Sequence, residues 1–127
     1  MTVGASNQPA LDVYEEWKST GEMTDYMAQV INENENIDQL MEEKLGEIKE
    51  LIKDEEPDFA FVKMLQLTSF LNAGAAKLPS IIDKLKEWIK KIIFVLNSLA
   101  KEMKADGFSI SAGFPIGVSI GLSFPIF

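Results

Sequence analysis

Cysteine and histidine are absent from this chain, and all twelve of its basic residues are lysine. Without cysteine there are no disulfides, thiolate metal sites or cysteine nucleophiles. Without histidine the commonest general base and the commonest transition-metal ligand are missing. Without arginine there is no planar bidentate clamp for phosphate. Most enzymology is thereby excluded, and the expectation is a protein that is not an enzyme and holds no cofactor or metal. The formal net charge of −8, with no arginine, also argues against nucleic acid as a partner. The opening stretch, MTVGASNQPALDVYEEW, has neither a basic n-region nor a long apolar h-region. A cytoplasmic protein in a reducing compartment is the resulting expectation.

What the sequence does contain is enough apolar material to fold. At 127 residues one domain with a single hydrophobic core is the simplest organisation. The charge is unevenly spread. Residues 1–58 carry sixteen acidic groups and four lysines, whereas residues 59–107 carry four acidic groups and eight lysines. Either acidic and basic helices attract each other within one bundle, or a basic face is left for an acidic membrane or partner.

Helical periodicity dominates residues 9–107. Pro9 opens a short amphipathic segment in which Leu11, Tyr14 and Trp17 recur, ending near Ser19-Thr20-Gly21. From Met23 an apolar stripe through Tyr26, Met27, Val30, Ile31, Ile37, Met41, Leu45, Ile48 and Ile52 keeps its phase for about thirty residues. Three asparagines at 32, 34 and 36 weaken it. The unbroken phase nevertheless predicts one long helix, straight or kinked, over residues 22–53, with Asn34 on its apolar face. Pro57 restarts the chain as a helix in which Phe59, Phe61, Val62, Met64, Leu65, Leu67, Phe70 and Leu71 leave little polar surface. Such a helix belongs at the centre of a bundle or at an oligomer interface. Residues 72–76 end it or admit a close neighbour.

The last helix, over about 80–105, is the best defined. Ile81, Leu85, Trp88, Ile92, Leu96, Leu99 and Met103 form its seam, and lysines fill the opposite side. Ser80 is its expected cap and Gly107 its expected C-terminal glycine. Phe94 lies about 180° from the seam, among lysines, and is a candidate contact. Glu42, Glu43, Glu47 and Glu50 lie off the apolar stripe and read as solvated helix charges rather than catalytic acids.

Residues 108–127, FSISAGFPIGVSIGLSFPIF, carry no charge, and every even position from 108 to 126 is apolar. That is the period-two signature of a strand with one apolar face. A three-residue turn of Pro115, Ile116 and Gly117, with glycine in the left-handed position, folds it into a hairpin. The expected pairs are Phe114 with Val118, Ala112 with Ile120, Ile110 with Leu122, and Phe108 with Phe124. An isolated ribbon is marginal in water, so its apolar face must cover its own helices, another copy, or lipid. Strands of about seven residues fall short of the 9–11 that a membrane-spanning strand needs.

The expected architecture is therefore mainly α: a helical bundle over 9–107, of three to four helices with one long, followed by a C-terminal β-hairpin over 108–127. The expected function is interaction or assembly, as a homo-oligomer or with a protein partner. Its contact residues are Phe94, Phe108, Ile110, Phe114, Val118, Ile120, Leu122 and Phe124. The alternative is a membrane-active or lipid-binding protein that uses the tail and the helix KLKEWIKKIIFVLNSLAK, which resembles a surface-active peptide in pattern.

Overall fold

In a computed structural model the described residues are 9–104, 107–113 and 117–123, the last two segments as backbone only. The order is α1 (Pro9–Thr20), α2 (Asp25–Asn32), α3 (Asn36–Lys53), α4 (Pro57–Lys77), α5 (Ile81–Glu102), β1 (Gly107–Gly113) and β2 (Gly117–Ser123). The protein is mainly helical, and α3, α4 and α5 pack against one another with α1 and α2 laid on that group. The ribbon backbone lies with β2 along α4 and both strands approaching α5.

Local chemistry sets most boundaries. Gly21, at φ +74°, follows α1 and donates its N–H to the Trp17 carbonyl, the geometry that glycine permits without strain. Thr24 caps α2, its hydroxyl accepting from the Met27 N–H while the Met27 sulfur accepts from the Thr24 N–H. Pro57 occupies the first turn of α4, where its missing N–H has no helical partner to lose.

The expected long helix is two helices, interrupted at residues 33–35. Asn34 is exposed and left-handed at φ +49°, not on an apolar face. Asn36 is the buried asparagine: its side-chain amide donates at 2.6 Å to the Val30 carbonyl, which also accepts from the Glu33 N–H at the end of α2. Three residues advance a helix by nearly one turn, so the periodicity passes through the break with little loss of phase.

Two smaller expectations are also corrected, and an open alternative is decided. Ser80 makes no side-chain cap; its hydroxyl accepts from the Asn32 amide at 3.1 Å instead, which joins the start of α5 to the end of α2. Helix α4 continues through residues 72–76 to Lys77, so of the two alternatives there it is the close neighbour, at Gly74, that is seen. The left-handed residue after α5 is Lys104, at φ +56°, and Gly107 opens β1.

The core contains Ile31, Ile37, Ile48, Met64, Leu67, Phe70, Ile81, Ile92 and Leu96 with no exposed surface. Each such side chain contributes roughly 1.5–3 kcal/mol by burial. Gly74 lets α4 approach its neighbours. A Cβ there would lie 2.7 Å from the Ile31 Cδ1 and 3.3 Å from the Ile81 Cδ1. The seam expected for α5 faces this core, with Met103 only partly covered.

Candidate interaction surfaces

The outer sides of α3 and α5 meet in a cleft of about 380 Å³. Glu42, Gly46 and Lys49 line it from α3, at the helical spacing that stacks residues on one face. Trp88, Lys90, Lys91 and Phe94 line it from α5, and Leu45 contributes to the lining. The Trp88 ring is fixed at both faces of its chemistry. Its indole N–H donates to Asp38 Oδ1 at 2.6 Å, and the Lys91 ammonium lies 4.3 Å from its ring centre. Phe94, the residue that the sequence sets apart from its helix seam, is 66% exposed beside them. Among the described residues, Lys49, Lys90 and Lys91 form no ion pair, in contrast to Lys44, Lys63 and Lys77.

A second surface runs along the outside of α4. Phe59, Val62 and Leu65 are 63%, 48% and 40% exposed, at spacings that put them on one stripe. The opposite side of the same helix, from Ala60 through Met64, Leu67 and Leu71, is fully buried. The helix is therefore central to the bundle and apolar on its outer face as well, which explains its nearly unbroken hydrophobic sequence.

The ribbon borders α4. Its register pairs Phe108 with Leu122, Ile110 with Ile120, Ala112 with Val118, and Gly113 with Gly117. This differs by two residues from the expected register, and Gly117 opens β2 rather than occupying the turn. A shift of two keeps every even residue opposite an even one, so the apolar pattern cannot distinguish the two registers. The observed register also ends the ladder on two glycines, which face each other without side chains. Phe114, Pro115, Ile116 and Phe124 lie outside the described residues, as do the side chains of Phe108, Ile110, Val118, Ile120 and Leu122.

A third surface lies where α1 and α2 meet. A cleft of about 230 Å³ is lined by Pro9, Asp12, Val13, Glu16, Tyr26 and Val30. Tyr26, which the periodicity places in the apolar stripe, is 72% exposed. Its phase puts it at the edge of the stripe set by Met27 and Ile31, a signal present in the sequence but weak. Gly46 was also legible as an unexplained glycine inside a helix.

No family model, curated protein or solved structure matches this chain. The functional argument therefore rests on these surfaces. Among the described residues no group of three acidic side chains is placed to hold a metal ion. The phenol of Tyr14 is pushed up to about 12 by burial, with smaller contributions from Glu15 and Glu47. Tyr14 belongs to an aromatic cluster with Trp17 and Phe70, its ring 4.9 Å from that of Phe70 in an edge-on arrangement. That setting is a packed core beneath Lys44, whose ammonium lies 4.5 Å from the ring, and it offers no substrate access. The Glu47 carboxylate bridges Lys44 and Lys63 on the surface, a structural role. No described helix is long and apolar enough to cross a membrane.

Proposed function

We propose that this is a non-enzymatic interaction or assembly protein, a helical bundle that associates with copies of itself or with a protein partner. The observation that carries this reading is the exposed stripe of Phe59, Val62 and Leu65 on α4, the helix against which β2 runs. Large apolar side chains on one stripe of a central helix mark a contact surface more often than free solvent. The C-terminal hairpin extends that surface: a two-stranded ribbon leaves one backbone edge of each strand without a partner among the described residues.

The lipid-active alternative has less support. Ile81, Leu85, Trp88, Ile92, Leu96 and Leu99, the apolar side of the peptide-like helix, lie in the core. That helix meets lipid with its apolar side only if the bundle opens.

Sedimentation equilibrium of the full chain tests the proposal. The expected result is a mass above the monomer that rises with concentration and falls toward the monomer in Phe59→Ser/Leu65→Ser, with helical circular dichroism retained. An unchanged mass distribution in that variant removes the stripe from the interface. Co-sedimentation of the full chain with anionic vesicles, in place of self-association, favours the lipid alternative.

A further inference from the structure

We infer that the α3–α5 cleft receives the Tyr26 corner of a second copy of this chain, giving head-to-tail association. This rests on the assembly reading above and assigns it a specific pair of surfaces. The first observation is Gly46. A glycine inside a helix costs about 1 kcal/mol relative to alanine. Gly46 has no positive φ, and among the described residues nothing lies within 4 Å of the Cβ it lacks. Neither backbone conformation nor packing among the described residues requires it. Its effect is to open the floor of the cleft beside Trp88 and Phe94.

The second observation is charge. Lys49, Lys90 and Lys91 surround that opening without ion pairs among the described residues, and Glu42 is the one carboxylate lining it. An occupant that brings carboxylates beside an aromatic ring suits both the lysines and the Trp88–Phe94 wall. The chain carries such a group itself. Tyr26 projects from the start of α2 with Asp12 and Glu16 lining the same cleft, and neither carboxylate forms an ion pair among the described residues. The two clefts share no lining residue. The cleft at α3–α5, about 380 Å³, has room for one phenol ring.

An interface that joins two different patches is heterologous, so it continues into chains unless the rotation closes a ring. Each copy carries a net charge of −8, and general repulsion opposes the local attraction. At physiological salt the Debye length of about 8 Å screens the distant charges more than the contacting ones.

The test is sedimentation velocity at physiological salt, from micromolar to millimolar protein. Two variants are used: Lys90→Glu/Lys91→Glu in the cleft and Glu16→Gln/Tyr26→Ser at the corner. All four positions are exposed, and circular dichroism checks that the helices persist. The wild-type mass is expected to pass beyond the dimer, and each variant alone to self-associate about tenfold or more weakly. An equimolar mixture is expected to recover dimers and stop there, because each variant retains one intact surface. Wild-type protein that stays monomeric, variants that associate as the wild type does, or a mixture that remains monomeric overturns the inference. Loss of association only in Phe59→Ser/Leu65→Ser overturns head-to-tail docking while the assembly reading stands. Loss only in the cleft and corner variants supports the docking and removes the α4 stripe from the interface.

Discussion

Trp88 donates its indole N–H to the Asp38 carboxylate at 2.6 Å, joining α5 to the first turn of α3. Two neighbouring contacts reinforce the same junction. Asn32 donates to the Ser80 hydroxyl, and the Lys84 ammonium donates to the Asn34 carbonyl at 3.4 Å. The early turns of α5 therefore hold the break between α2 and α3 while Trp88 forms a wall of the candidate cleft.

Replacing Asp38 with alanine removes the acceptor from a charge-assisted hydrogen bond and leaves the indole N–H unpaired. A loss of about 1.5–3 kcal/mol is expected, read from urea unfolding. In a Trp17→Phe background, Trp88 is the only tryptophan, and its emission is expected to change on removal of Asp38. Unchanged stability and emission together contradict the structural role of this contact.

Asn34 and Asn36 are expected to respond oppositely to substitution. Asn34→Gly relieves the residual strain at φ +49° and is expected to be neutral or mildly stabilising. Asn36→Ala deletes the 2.6 Å bond to the Val30 carbonyl, which keeps only its longer bond from the Glu33 N–H, and is expected to cost about 0.5–1.5 kcal/mol. Thermal unfolding of both variants checks the sign of each change.

The two helical glycines offer a second contrast. Gly46→Ala meets nothing within 4 Å and is expected to stabilise the bundle by about 0.5–1 kcal/mol. At Gly74 the same methyl would lie 2.7 Å from the fully buried Ile31, so the helical gain is offset by crowding. Gly74→Val, larger still, is expected to destabilise by about 2 kcal/mol or more. Equal effects of Gly46→Ala and Gly74→Ala on the urea midpoint contradict the packing.

Tyr14 predicts an alkaline limit. Its folded pKa is about 12 against an ordinary 10.0, so between these values the folded state holds a proton that the unfolded state releases. Stability is expected to fall as pH rises from 10 to 12, by up to about 3 kcal/mol for this group. Glu15 and Glu47 favour the neutral phenol, and the Lys18 and Lys44 ammonium groups sit over its ring. Tyr14→Phe removes the phenol's part of the slope. An identical pH profile in Tyr14→Phe excludes the phenol as its source.

Residue pattern by itself determined the helical class, the restart at Pro57, the seam of α5 and the outward position of Phe94. These are local properties: an apolar stripe at helical spacing must face a core, whichever core forms. Tertiary structure decided what depends on contacts across the chain. It set the break at residues 33–35, because the bond from Asn36 to Val30 and the contacts from α5 close a gap that periodicity passes through. It gave Ser80 an interhelical partner in Asn32 rather than a cap. It set the ribbon register, which the alternating pattern leaves free by two residues. It also separated Gly74, pressed against Ile31, from Gly46, which faces open space: two glycines alike in sequence, distinguished by which neighbour the fold brings to each.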